Sequence, residues 1–346
     1  TAQAFSQVQI GGFVEYDNLT YFKHLGWQKI NGRNQGILQL EVRHTVSDKA
    51  GIFSAVEFRE DQADAGRNRV YLDEAYLNLY LCSFDIRFGK QIYAWGRADG
   101  LNPTDNLTAW YITECLYSDD EKIGVVSARV NYYFGDWTLE GVLVPSFTAS
   151  LLPTVSSRWF PVLPDRVSNP LFPDFGPPEL SVDYQFASPL LPEDGTKSTQ
   201  YALKLSGTAG GWDFSLSWFD GFDDLPGLDT TLAIASSLNG VQITIAQQYN
   251  RRRAIGADFA TTLGKLGLRG EAAYYLTEDW DGANPAIDDP YLHAVIGVDY
   301  TFSNLFAGKD LFVLAQWSQE LQIPDRNTVY DIFDLNHVFR KSLIAK

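Results

Sequence analysis

Ile37-Leu38-Gln39-Leu40-Glu41-Val42-Arg43-His44-Thr45-Val46 puts Leu38, Leu40, Val42 and Val46 on one face and Gln39, Glu41 and Arg43 on the other. A period of two is the mark of a strand with one apolar and one polar face. Ser47-Asp48-Lys49-Ala50-Gly51 then makes a tight turn. The chain returns through residues 52–59, with Val56 and Phe58 on one face and Glu57 and Arg59 on the other. This strand, turn and strand is the unit from which the rest of the chain is read.

Working outward, residues 9–17 form a strand before it and residues 26–34 a polar loop. After a polar loop at 61–69 come strands at 70–81 and 85–91, joined by the short turn Cys82-Ser83-Phe84. Strands 123–134 and 137–143 turn at Gly135-Asp136, and a very long connection spans 145–198. Residues 200–206 and 212–218 flank a turn at 207–211, and Trp212-Asp213-Phe214-Ser215-Leu216-Ser217-Trp218 is the clearest alternation of all. An acidic loop at 220–240 contains the hairpin signal Asn239-Gly240. Residues 241–262 read as one extended strand with a bulge near Arg251-Arg252-Arg253. Strands at 266–276, 291–302, 311–320 and 335–346 follow, separated by a turn at 264–265, a loop at 277–290, a turn at 303–309 and a loop at 321–334.

Connections therefore alternate short and long, so all tight turns fall on one side of the sheet and all long loops on the other. The charged residues of the polar faces, among them Glu57, Arg59, Arg87, Arg129, Lys204, Arg269 and Glu271, mix both signs. A water-filled lumen tolerates such residues and a packed core does not. A soluble barrel or solenoid with one solvated face would explain the charges but not the parity of the loops. The fold expected is all-β: one antiparallel transmembrane barrel over residues 1–346, with about 14 strands, short periplasmic turns and long outer loops in a bacterial outer membrane. The last residues, Ser342-Leu343-Ile344-Ala345-Lys346, lack a terminal aromatic, from which a truncated chain and a native barrel of about 16 strands or slightly more are expected.

Composition narrows the function. No run of about 18 apolar residues exists, so transmembrane helices are excluded, while mean hydropathy of −0.17 and 14% aromatic residues suit a β-rich chain at a membrane interface. A net charge of −16 argues against nucleic acid. Ala2-Gln3-Ala4 has the small-x-small form of a signal-peptidase site, so residues 1–4 are read as the remnant of an export signal. Cys82 and Cys115 show no metal spacing and, on opposite sides of the membrane, are not expected to pair. No nucleophile, base or metal constellation stands out, so neither an enzyme nor a cofactor is expected. Acidic loop residues around Asp99, Asp105 and Asp119 could supply oxygen ligands, but their spacing fits solvated carboxylates better than a metal site.

Residues 85–122 carry the most distinctive pattern: Gly89-x-Gln91, then Trp95-Gly96, then Asn102-Pro103-x-Asp105. This segment resembles one shared by a group of porin-like outer-membrane proteins, near the barrels for uptake of hydrophobic or aromatic compounds and for alginate export. The likeness covers mainly residues 85–136 and implies the barrel class more than any substrate. Read physically, Gly89 leaves room beside the wall and Trp95 sits where the strand leaves the sheet. The turn formers at 102–105 either fold residues 96–122 over the lumen as a constriction or merely cap a hairpin. Arg87, Gln91, Trp95, Arg97, Asp99 and Asp105, with Arg59, Glu57 and Arg129, are the residues assigned to it.

The connection at 145–198 displays Trp159, Phe160 and Phe172 among many apolar residues, which makes it either a lid at the mouth or a loop with its own small core. Arg251-Arg252-Arg253 with Arg59, Arg87 and Arg129 forms either a basic strip that attracts carboxylates or one side of a salt-bridged wall. The function expected is a channel for small organic solutes, hydrophobic or aromatic acids among them. The alternative is a scaffold or export conduit working with a periplasmic partner. Lipid, lipopolysaccharide and a small solute are the expected partners, with a homo-oligomer as a further one.

Overall fold

The computed structural model describes residues 7–22, 32–113, 122–155, 157–169, 174, 176–234, 240–281, 284, 287–306, 308–322 and 341–345. β1 (Gln7–Thr20), β2 (Gly32–Ser47), β3 (Ala50–Asp61), β4 (Arg69–Leu81) and β5 (Phe84–Gln91) follow one another as antiparallel neighbours. β6 (Ala109–Trp110) and β7 (Lys122–Ile123) pair with each other inside the next connection, and β8 (Val125–Phe134) and β9 (Trp137–Val144) resume the sheet. β10 (Arg166–Ser168) and β11 (Glu179–Phe186) precede the hairpin of β12 (Gln200–Ala209) and β13 (Trp212–Phe222). β14 (Gly227–Ile234) and β15 (Gly240–Gln248) come before β16 (Arg251–Leu263), β17 (Leu266–Thr277), β18 (Tyr291–Phe306), β19 (Lys309–Gln322) and β20 (Lys341–Ala345).

The main sheet has 14 strands, in the order β1-β2-β3-β4-β5-β8-β9-β12-β13-β16-β17-β18-β19-β20. Its strands are separated in sequence by only two residues at 48–49, 82–83, 135–136, 210–211, 264–265 and 307–308, all at one end. Two-residue hairpins favour positive φ to match strand twist. Cys82, Gly135, Gly210, Gly211, Gly264 and Gly308 supply it everywhere except at 48–49. At the other end the strands are separated in sequence by the longer stretches 21–31, 62–68, 92–124, 145–199, 223–250, 278–290 and 323–340. The parity expected from the sequence is thus the architecture of the molecule.

The two faces divide as the alternation requires. Leu38, Leu40, Val42, Phe88, Val126, Leu143, Leu203, Leu216, Ile296 and Trp317 are exposed on the outside. Gln91, Ser127, Ala202, Ser215, Asp258, Glu271, Gln316 and Ser318 are buried on the inside. Exposed aliphatic side chains over a whole sheet, with carboxylates and amides within, invert a soluble core and suit lipid outside.

Two segments depart from the sequence reading. The run expected as one strand over 241–262 breaks at Tyr249 and Asn250: β15 leaves the main sheet and only β16 belongs to it. The break carries no glycine or proline; it falls in the polar run 247–253, where the apolar alternation lapses and Asn250 is the one turn former. The acidic loop 220–240 contains β14, which pairs with β15 as the hairpin signal suggested, although Asn239 itself lies outside the described residues. The connection at 145–198 likewise holds strands. β11 runs parallel to β15, giving a four-stranded sheet β10-β11-β15-β14 at the long-loop end. Residues 1–4, Cys115, Asp119 and Phe172 lie outside the described residues, as do 335–340 of the last expected strand.

Candidate functional site: a loop seated in the lumen

Connection 92–124 leaves β5 and passes inward instead of capping its hairpin. Its first residues are fixed to the near wall. The Gln91 side chain, fully buried, donates to the Ser127 carbonyl at 3.2 Å, the Ile92 amide donates to Glu74 at 2.9 Å, and the Tyr93 hydroxyl lies 3.0 Å from Ser127 Oγ. Trp95 is buried, with its indole Nε1 donating to Glu140 of β9 at 2.9 Å and Lys204 of β12 over its ring.

The chain then reaches the far wall. The Arg97 and Ala98 amides donate to Glu271 Oε2 of β17 at 2.7 and 3.3 Å, and Arg97 Nε donates to Asp258 of β16 at 2.7 Å. The Asp99 backbone exchanges two 2.8 Å hydrogen bonds with the Gln316 side-chain amide of β19, and Arg269 Nη1 donates to the Asp99 carboxylate at 2.7 Å. The Tyr275 hydroxyl donates to the Pro103 carbonyl at 2.5 Å, and Arg252 Nη2 donates to Asn106 at 3.1 Å. Further on, the Arg59 and Arg69 guanidiniums of β3 and β4 lie 5.0 and 3.9 Å from the centre of the Tyr111 ring. One short segment touches the inner faces of β3, β4, β8, β9, β16, β17 and β19, so the sheet must curve around it.

The seat is apolar as well as polar. Tyr93, Trp95 and Leu107 of the loop form one buried cluster with Val142, Val144, Ala202, Phe219, Ala254, Ala273, Tyr275 and Tyr291 of the wall. Asp105 pairs with Lys122, which also donates to the Tyr93 carbonyl at 2.9 Å. Burial pushes the Asp105 carboxyl upward, and Lys122 pulls it the other way. Burial also pushes the Tyr93 phenol up to about 12, which keeps it neutral and able to donate.

Of the residues assigned from the sequence, Gln91, Trp95, Arg97, Asp99 and Asp105 come together in this seat. Glu57 and Arg59 lie nearby, joined at 3.0 Å, with Arg69 on the same carboxylate at 2.9 Å. Arg87 and Arg129 do not touch the loop. They face each other across β5 and β8, nearer the tight turns. Gly89 is glycine for the wall's own sake: φ is +128°, and a Cβ would lie 2.2 Å from the Ala75 carbonyl oxygen.

Phe160 packs edge-on against Phe186 of β11, and the Trp159 amide donates to Ser157, so this part of the connection packs with the rim sheet. Arg251 and Arg253 both pair with Asp220, at 2.6 and 2.7 Å, and Arg252 pairs with Asp223. The triple arginine is therefore salt-bridged and not a basic strip. The far-wall anchors Asp258, Glu271, Tyr275 and Gln316 were not read as site residues. Glu271 appears in the charged inner-face set, but no sequence signal ties it to a loop 174 residues earlier.

A sequence model of the family described as "Protein of unknown function (DUF1302)" matches residues 26–280. The chain belongs to this family. The DUF1302 match runs from the first long connection to just past β17 and includes both the seated loop and the rim sheet. No curated protein matches the DUF1302 chain. Among solved structures, outer-membrane expressed OmpT of Vibrio cholerae is 11% identical, with a TM-score of 0.44 over 93% of this chain and 78% of that one. A mutant of the porin of Rh. blastica is 9% identical, with a TM-score of 0.37 over 90% of this chain and 94% of that one. The DUF1302 chain is a bacterial outer-membrane protein by its own architecture: a large antiparallel sheet, apolar outside and polar within, with two-residue turns at one end and long loops at the other.

Proposed function

We propose that the chain is a channel through which small organic solutes diffuse, hydrophobic or aromatic acids among them, and that connection 92–124 sets its narrowest passage. The observation that carries this reading is the two-sided anchoring of the loop, from Trp95 on Glu140 at one wall to Asp99 on Gln316 at the other. A segment held this firmly within a lumen of mixed carboxylates and guanidiniums reduces the bore and lines it with chosen side chains. The resemblance of Gly89-x-Gln91, Trp95-Gly96 and Asn102-Pro103-x-Asp105 to barrels near those for hydrophobic and aromatic compounds supports the solute class.

Purified protein in planar bilayers is expected to give discrete conductance steps, and proteoliposomes to take up benzoate down its gradient. Silence in both assays would sink the channel. The apolar packing of Tyr93, Trp95 and Leu107 against the wall favours a second reading, a scaffold or export conduit whose loop yields only to a periplasmic partner. Stoichiometric co-purification of such a partner, together with silent bilayers, would select it.

A further inference from the structure

Most arginines on the inner face and rim are neutralised. Arg59, Arg69, Arg97, Arg251, Arg252, Arg253 and Arg269 each have a carboxylate within ion-pair distance. Among the described residues, Arg43, Arg87 and Arg129 have none. They lie on the same inner face, on β2, β5 and β8, below the seated loop. Arg87 is directly opposite Arg129 in the strand register, an arrangement of like charges that costs stability unless something offsets it. In a chain with a net charge of −16, leaving this pair without a carboxylate at ion-pair distance is a specific feature.

Three acids on the strands around the pair are engaged elsewhere, while Glu41 shares the inner face of β2 with Arg43. Glu74 accepts from the Ile92 amide, Glu140 from the Trp95 indole and Asp85 from the Tyr133 hydroxyl. Arg87 donates through Nε to Asn78 at 2.7 Å and lies face-on to Tyr76, with Cζ 3.9 Å from the ring centre. Tyr76 in turn lies 5.1 Å from Phe53, and Arg43 is 5.2 Å from the Phe53 ring. Arg43, Phe53, Tyr76, Arg87 and Arg129 thus form a continuous strip across β2, β3, β4, β5 and β8. A guanidinium stacked on a ring keeps its in-plane N–H groups open, and those groups match a carboxylate.

We infer that this strip is a binding site for aromatic carboxylates: the acid group bridges Arg87 and Arg129, and the ring lies against the half-buried Tyr76, which the buried Phe53 backs. The inference rests on the channel reading and deepens it by naming the solute class, and the strip would be the step a solute meets between the seated loop and the tight-turn end. Binding requires no conductance, so the two ideas separate by experiment.

The test is equilibrium dialysis of the detergent-solubilised full chain against benzoate, with benzyl alcohol as the uncharged probe and cyclohexylacetate as the non-aromatic acid. Saturable benzoate binding is expected, tighter than that of either other probe. Arg87→Gln and Arg129→Gln should each weaken it about tenfold, the size expected for one charged hydrogen-bonding partner. Arg253→Gln at the rim should leave it unchanged. Heat-dependent gel mobility reports folding of each variant. Arg43→Gln, at an exposed position, serves as a further variant should the central pair prove essential to the barrel. No saturable benzoate binding, or equal binding by folded wild type and variants, overturns the site. Benzoate binding in a protein that conducts nothing overturns the channel and keeps the site. Conductance without benzoate binding does the reverse.

Discussion

Asp223 stands one residue past the end of β13, paired with Arg252. Burial pushes its carboxyl up to about 7 against the pull of Arg252, and repulsion from Asp224 and Asp288 adds to the rise. An unfolded chain releases this proton near its ordinary value of about 3.9. The folded state therefore binds the proton more tightly, and the group's contribution to stability is full below about pH 4 and is lost as pH rises toward 7. The heat-modifiability midpoint of wild type should fall across that window, and Asp223→Asn should flatten the slope. Absolute midpoints will differ because Arg252 loses its carboxyl partner, so the slope is the readout. Equal slopes would refute the assignment. At this scale the sequence was legible in part. Trp95, Arg97 and Asp99 are recognisable as a distinctive pattern, but the burial of Trp95 on Glu140 is not, because a tryptophan at a strand's outer end reads equally well as an interface aromatic. Gly89 illustrates the same limit: its requirement comes from the Ala75 carbonyl on the neighbouring strand.

At the scale of elements, the seated loop is held at its far end by a handful of side chains, and two of them can be removed without touching the loop's sequence. Glu271→Ala with Gln316→Ala deletes the acceptor for the Arg97 and Ala98 amides and both hydrogen bonds to the Asp99 backbone. Residues 97–99 then lose their backbone tether and keep the side-chain ion pairs of Arg97 with Asp258 and Asp99 with Arg269, and the passage beside them should widen. Single-channel conductance is expected to rise about twofold or more, as bore governs current, with larger open-state fluctuations. An unchanged conductance would mean that another part of the molecule is the narrowest point. The hairpins were legible because their signals are local: alternation with period two, then two residues able to turn tightly. The rim sheet was not. Its central pairing joins β11 to β15 in parallel, across two strands of the main sheet, and β15 passes into β16 through Tyr249 and Asn250 alone, with no glycine or proline to mark the break. The loop's seat was hidden for the same reason, since its anchors are distant in sequence and ordinary in type.

For the whole molecule, the decisive property is that the sheet's exposed face is a lipid face. Leu216, near the middle of β13, is 62% exposed and pairs in register with Leu205 and Ala257, while Ser215 and Ser217 face inward. In a soluble protein, an arginine at so exposed a position would be close to neutral. In a barrel at the centre of a bilayer it should cost about 2–4 kcal/mol, because the guanidinium must be drawn into hydrocarbon or drag water with it. Leu216→Arg is therefore expected to unfold at a markedly lower denaturant concentration when folded in lipid vesicles. Ser206→Arg, on the neighbouring strand and the inner face, should stay close to wild type because its charge enters the lumen. The comparison holds the strand region and the added side chain constant and changes only the face. If the two variants cost the same, Leu216 does not meet lipid, and the outward face would have to be covered by something other than the membrane.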